Sequence, residues 1–346
     1  MASGHFVYVS CQKGRRVDVA HLDDATGDLA PVQSLAVPGD GMALAAAPDG
    51  RHVYAALFGD GRDDKQPALA SLAIDAESGA LEVAGLAPLP ARTSFITVAP
   101  GARFLLAASV AGSVVASLPI DLDGLVRRAA GVVLPVRDGA HQIMVTADGG
   151  RALVPNLGAD VVQQFHFHAE TGALVDAGLP AFEVGPGFAP RHLAFHPTRP
   201  MAYLLNERGG TVDQLILDGD EIRFEATFPY QPASHDGDAW GAQILVGADG
   251  RFLYTSERNS STVQVHAIDP TDGSLVMTGA WPVEACPRNF ALSACGRWLI
   301  VAGEKSDHVA SHALDEAAGG IGLPAARRLA VGAGPVWVAT VARAGT

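Results

Sequence analysis

The chain is short of cysteine, of positive charge and of long apolar runs, and each shortage removes a class of protein. The three cysteines, Cys11, Cys286 and Cys295, are odd in number and nowhere spaced as CxxC, so a disulfide framework, a zinc site and a haem-attachment CxxCH all lack support. Lysine and arginine number 24 against 37 acids, a formal charge of −13. A surface of that sign neither attracts phosphate backbones irrespective of sequence nor adsorbs to anionic lipid. A small anionic ligand remains compatible where arginines converge locally. No stretch approaches the roughly 18 uninterrupted apolar residues of a membrane span, and the opening MASGHFVYVSCQKGRR passes at once into strand alternation without the apolar core of a leader. The expectation is a cytoplasmic protein with no nucleic-acid and no membrane partner.

Glycine and proline are plentiful, at 39 and 22 residues, and helix-periodic Leu, Glu and Lys stretches are missing. That composition predicts many short strands joined by tight turns, an all-β chain. The strands come in a repeat: an apolar run, DGR or a relative, and a second apolar run. MALAAAPDGRHVYAAL from Met42, FITVAPGARFLLAAS from Phe95, QIMVTADGGRALVPN from Gln142, HLAFHPTRPMAYLLN from His192, QILVGADGRFLYTSE from Gln243 and FALSACGRWLIVAG from Phe290 are its instances. The turn arginines Arg51, Arg103, Arg151, Arg251 and Arg297 recur with a mean period of about 49 residues, within the propeller range. A second hairpin follows each first one, its turn an acid, a few small residues and Gly, as in AIDAESGALEVA and AIDPTDGSLVMT. Each repeat thus holds four strands, A to D from the inside outward, which is a propeller blade.

Complete A–B hairpins number six, but an unpaired B strand at Phe6–Ser10 and an unpaired A strand at Val336–Thr340 make a seventh blade when joined. The prediction is a seven-bladed β-propeller of four-stranded antiparallel blades, one domain over residues 1–346, closed by pairing of its terminal strands. Closure removes the open edge that invites aggregation. The segment LFGDGRDDKQPALA, Leu57 to Ala70, reads as a longer B–C loop.

Because strands alternate in direction, the D-to-A and B-to-C connections share one face of the disc, and the A–B and C–D turns share the other. On the first face fall His141, Arg191 with His192, Trp240 with Gln243, and Arg288 with Asn289 before the inner strands. Asn156, Asn206 with Glu207 and Arg208, Glu257 with Arg258, and Glu304 with Lys305 follow the second strands. Convergent polar groups from different blades mark a small-molecule site. Taken singly, His141 reads as structural and Glu207–Arg208 as an exposed ion pair of little worth; their shared face makes them candidates. His166, His168, His196, His235, His308 and His312 read as surface or packing residues, and SHDGDAW, Ser234 to Trp240, as a rim or lid, with no metal site assigned.

The segments APRHLAFHPTRPMAYLLNE, GAHQIMVTADGGRALVPNLGAD, WGAQILVGADGRFLYTSERNSSTVQV, CPRNFALSACGRWLIVAGEKSDHV and GAGPVWVAT resemble successive blades of the lactonase family of seven-bladed propellers. That family includes bacterial 6-phosphogluconolactonases and a fungal carboxymuconate cyclase, and the chain looks closest to the former branch. The resemblance implies a cofactor-independent site in the central cleft. By motif, the family's functional set falls on His141, Arg191, Glu207 and Arg258. Gln243 and Asn156 stand where relatives carry acids.

For lactone hydrolysis, Glu207 is then the candidate general base and His141 the alternative base or the acid. Arg191 and Arg258 would stabilise the oxyanion or hold an anionic group, and Arg288 and Lys305 are candidate phosphate contacts. His192, Asn206, Trp240 and Gln243 complete the expected substrate-binding set. Competing readings are an unphosphorylated lactone, a lactone-forming carboxymuconate cycloisomerase, and a non-catalytic interaction propeller, against which the absence of WD dipeptides counts.

Overall fold

The computed structural model describes residues 4–59, 66–127, 129, 131–176, 178–231, 235–315 and 317–343. Their strands form seven antiparallel sheets, the blades of a β-propeller, and no helix occurs among the described residues. Blade I pairs Pro335–Ala342 with Gly4–Cys11, Arg16–Asp23 and Leu29–Ala36, and blades II to VII follow in chain order from the inner strands Asp40–Ala46, Phe95–Val98, Met144–Val145, Pro190–Phe195, Gly241–Val246 and Pro287–Leu292. Val9 stands opposite Val338 and Phe6 opposite Val341, so the terminal strands close the ring as expected.

The sequence register explains the layering. Second strands are buried on both faces, as in Met201–Asn206 and Trp298–Gly303, because each lies between two neighbouring blades. Fourth strands such as Glu221–Pro229 alternate exposed and half-buried residues at the rim. Blade IV departs from regularity: its outer strand is broken into Ala173–Val175 and Phe182–Glu183, both paired with Val161–His168. In blade III the outer strand is the short Val132–Pro135, well beyond the C–D turn that Gly124 N–H closes on Asp121 O. Ahead of it, the Val126 N–H donates to Ser71 Oγ of blade II at 3.0 Å. Of the insertion in blade II, residues 60–65 lie outside the described residues.

Blades interlock through the acid-to-glycine C–D turns. In blade II, Asp75 Oδ1 accepts the N–H groups of Glu77 and Ser78, at 3.2 and 2.8 Å, and Gly79 follows at φ +76°. The Gly79 carbonyl accepts Tyr8 OH of blade I at 3.1 Å. The same lock joins Tyr54 to Gly124 at 2.8 Å and Tyr203 to Gly273 at 2.7 Å, always from one blade to the next. A side chain at Gly79 would put its Cβ 2.2 Å from the Phe6 ring, and one at Gly27 would lie 2.3 Å from Trp298. Glycine is therefore required twice over, for its dihedral and for the aromatic beneath it.

Tyr8→Phe should lose about 1 to 2 kcal/mol, the cost of stranding the buried Gly79 carbonyl. Gly79→Ala should lose about 2 to 5 kcal/mol from the left-handed backbone and the clash together. Urea unfolding of both variants measures this, and wild-type midpoints would remove the interlock from the stability of the ring.

Candidate active site

The cleft-face residues are aimed by a device repeated at the head of the inner strands. Ala189 and Cys286, each followed by proline, hold φ of +57°, a conformation unfavourable for a residue with a Cβ. The pairing register then slips between Pro190 and His192 and between Pro287 and Asn289. Arg191 and Arg288 are the residues thrown out of register, and a bulge of this kind re-aims a side chain. The strained entry of blade V is tethered by Asp160 of blade IV, whose carboxylate accepts the N–H groups of Gly187 and Ala189 at 2.7 and 2.8 Å. Ser261 Oγ plays the same part for Cys286 N–H at 3.1 Å.

Glu207 sits at the centre of the cluster. Its N–H donates to Ala189 O, and its carbonyl accepts Gly241 N–H and Tyr230 OH, so its backbone is pinned between blades V and VI. Glu207 Oε2 lies 2.9 Å from Arg191 Nε and 2.8 Å from Arg258 Nη2. The first contact is ionic and poorly aligned for a hydrogen bond. Arg191 Nη1 donates to Ala242 O, while Arg258 donates from Nε to Trp240 O at 3.1 Å and from Nη2 to Gly241 O at 2.8 Å. Among the described residues, Arg191 Nη2 and Arg258 Nη1 have no protein acceptor. Burial pushes both guanidinium pKa values down and Glu207 pushes back; both stay charged, as arginine does in proteins.

Beside this pair lies a chain of rings. His192 Nδ1 is 2.7 Å from Gln243 Oε1, and His192 Nε2 is 3.1 Å from His141 Nδ1. Phe95 and Trp337 meet His192 edge to face, with ring centres 5.4 and 6.3 Å away. Burial first, and then the Arg191 charge, hold both histidines well below the ordinary 6.5, so both are neutral at pH 7. His141 Nε2 makes no hydrogen bond among the described residues.

At the rim, the Trp240 indole carries Arg258 on its ring at 4.0 Å and Lys305 at 5.9 Å. Lys305 is exposed and joins no ion pair among the described residues. Arg288, half-buried, has only a long contact with Glu304 at 3.7 Å. The structure gathers the expected residues at one end of the ring, with Asn206, His192 and Gln243 set back from the surface of the cleft. Asn206 does not reach the cleft: both its amide hydrogens are used inside blade V, on Thr211 Oγ1 at 3.1 Å and Asp213 Oδ2 at 2.8 Å. The neighbours Glu257, Asn289 and Asn156 likewise serve backbone groups, on Trp240 N–H, Val338 N–H and Val154 O. His192 and Gln243 lie one layer behind His141 rather than at the surface of the cleft. Sequence reading overlooked Asp160, Phe95 and Trp337; the slot after each second strand, filled by Asp160, Ser261 and Asp307 at positive φ, was the available signal for the first. His235, Asp236 and Asp238 do not cluster, and the group that does among the described residues, His5, Asp24 and Cys295, is on the opposite face. There His5 Nε2 already accepts Ala294 N–H at 3.1 Å.

Removing Glu207's charge should leave two buried guanidinium groups uncompensated. Glu207→Gln is expected to lose about 3 kcal/mol of stability, the lower end for breaking a buried pair. Unchanged urea midpoints would show that the arginines do not depend on it.

Residues 2–340 match the family described as lactonase, 7-bladed beta-propeller. The 6-phosphogluconolactonase of Serratia proteamaculans is 33% identical over 97% of this chain and 99% of its own length. That of Pectobacterium atrosepticum is also 33% identical, over 97% and 98%. The structure of a periplasmic gluconolactonase from Pseudomonas aeruginosa superposes with a TM-score of 0.90 at 26% identity, covering 98% of this chain and 99% of the other. Ring, blade count and sequence agree, and the chain belongs to the lactonase family of seven-bladed β-propellers.

Proposed function

We propose that the protein hydrolyses a phosphorylated sugar-acid lactone of the 6-phosphogluconolactone type in this cleft. One observation carries the reading: a neutral histidine with an unspent ring nitrogen stands beside two buried guanidinium groups that keep unspent N–H donors. His141 Nε2 takes a proton from the water that attacks the ring carbonyl. Arg191 Nη2 and Arg258 Nη1 donate to the oxygen on which charge develops, a preorganised oxyanion site. The intermediate collapses by breaking the ring C–O bond, and the leaving alkoxide takes back the proton from His141. Glu207's charge is committed to the two arginines, so its part is to hold them; the base is His141.

The rim supports the phosphate. Arg288 and Lys305 are the cations of the cluster not closely paired with an acid, and charge-assisted bonds to an anion are worth about 1.5 to 3 kcal/mol each. Names of the relatives support the same substrate class, and the reaction would stand in the pentose phosphate pathway. Three free thiols support a cytoplasmic setting; the Pseudomonas neighbour is described as periplasmic, and no helix among the described residues is long and apolar enough to cross a membrane.

Proton release from 6-phosphogluconolactone and from gluconolactone, corrected for spontaneous hydrolysis, tests the assignment. kcat/KM should favour the phosphorylated lactone by at least about tenfold, and Arg288→Ala should erase most of that preference. Equal rates would place the substrate among unphosphorylated lactones, and no proton release with loss of diene absorbance from a muconate would replace hydrolysis by ring closure. His141→Ala should lower kcat by about a hundredfold or more.

The pH profile follows from the depressed histidine. Since His141 titrates below 6.5, kcat/KM should hold level down through that value and fall only at lower pH. Neutral burial also favours folding above the unfolded value of 6.5, and this stability is lost as pH falls toward the lower folded values. An acid limb above 6.5 in kcat/KM would contradict a buried neutral base.

A further inference from the structure

The three side chains in line behind the cleft come from three blades. His141 enters with blade IV, His192 with blade V and Gln243 with blade VI, and each is at most 8% exposed. An amide oxygen can only accept, so Gln243 Oε1 at 2.7 Å requires the proton of His192 to be on Nδ1. Neutral His192 then has a bare Nε2, which in turn requires the proton of His141 on Nδ1, 3.1 Å away. His141 is left with its lone pair on Nε2, the nitrogen that no protein group occupies. Arg191 Nη1 approaches His192 too, but at 3.3 Å from one ring nitrogen and 3.4 Å from the other, it lies across the ring rather than on either lone pair. Its aligned bond goes to Ala242 O.

We infer that Gln243 and His192 are positioning residues: together they fix the tautomer of His141 so that its free nitrogen, Nε2, is the one offered to substrate. The inference rests on His141 being the base. The amide is suited to this place because it sets direction without adding charge. The groups around His192 from the packed strands are Arg191 on its own strand, Arg258 and Arg288 from blades VI and VII, and neutral His141; Phe95 and Trp337 contribute only rings. Glu207 is committed to Arg191 and Arg258, and Glu304 lies on the far side of Arg288, so a carboxylate at position 243 would be the one anion bonded to the ring itself and would draw a proton onto the pair of histidines. The amide leaves them neutral and available to accept.

Tautomers are read directly by long-range proton–nitrogen correlation on protein labelled with nitrogen-15 histidine, between pH 6 and 8. His141 and His192 should both show the Nδ1–H pattern. An Nε2–H pattern on either ring overturns the relay whatever the activity. Gln243→Leu, folded by circular dichroism, should lose about tenfold in kcat with little change in KM, because orientation and not binding is removed. Gln243→Glu should move the acid limb of kcat/KM up by about one pH unit or more, the effect of a close opposite charge. A merely structural Gln243 would leave that limb in place. His141→Ala separates the two assignments. If it turns over like wild type, the base assignment falls while the Nδ1–H spectra still establish the relay. If it is inactive and both Gln243 variants behave as wild type, the relay falls and the base assignment stands.

Discussion

The ring stands or falls on the contact between one blade's second strand and the next blade's C–D turn. A single blade is a sheet that buries both faces of its middle strands and cannot do so alone. The phenolic hydroxyls of Tyr8, Tyr54 and Tyr203 reach forward to a glycine carbonyl, and the side chain two residues earlier on the same strand, Phe6, His52 or Met201, lies under that glycine. Direction, spacing and close approach are thereby set together. Closure of the first blade by the terminal strands completes the same series, and it lets side chains from blades IV, V, VI and VII hold fixed distances from one another.

The cleft needs that rigidity because its charges are mutually dependent. Two guanidinium groups lie nearly out of water against one carboxylate oxygen, and each spends part of its donors on the backbone of blade VI. Neither arginine could be held there by Glu207 alone, since a buried pair costs about as much to desolvate as it returns. The carbonyls of Trp240, Gly241 and Ala242 supply the remainder. The strain at Ala189 has the same logic: an unfavourable backbone persists because Asp160 and the Glu207 N–H over-determine it, and the bulge that follows turns Arg191 into the cleft.

Much of this was legible in the chain. The period, the two kinds of turn and the orphan terminal strands lead to seven blades, and alternation of strand direction sorts His141, Arg191, Glu207, Arg258, Arg288 and Lys305 onto one face. Position along a strand, however, does not say which way a side chain at its end will turn. Asn206 and Glu207 are adjacent and equally polar, yet one bonds within its blade and the other faces the arginines. The local competition between Asp213 and the cleft decides this, and Asp213 is on a different strand. His192 was legible as a polar residue on the right face but not as the middle of a line, because its partners are each 51 residues away.

What the sequence by itself determined is periodic: where strands turn, which turns need glycine, and which face collects residues that the turn rules leave unexplained. These follow from local dihedral preference and from a pattern repeated often enough to be counted. Only the tertiary structure decided the chemistry of individual atoms. Which cations meet the Glu207 carboxylate, and which nitrogen of His141 has a protein partner, depend on donors and acceptors brought in from other blades. Such contacts have no periodicity, so no pattern along the chain encodes them.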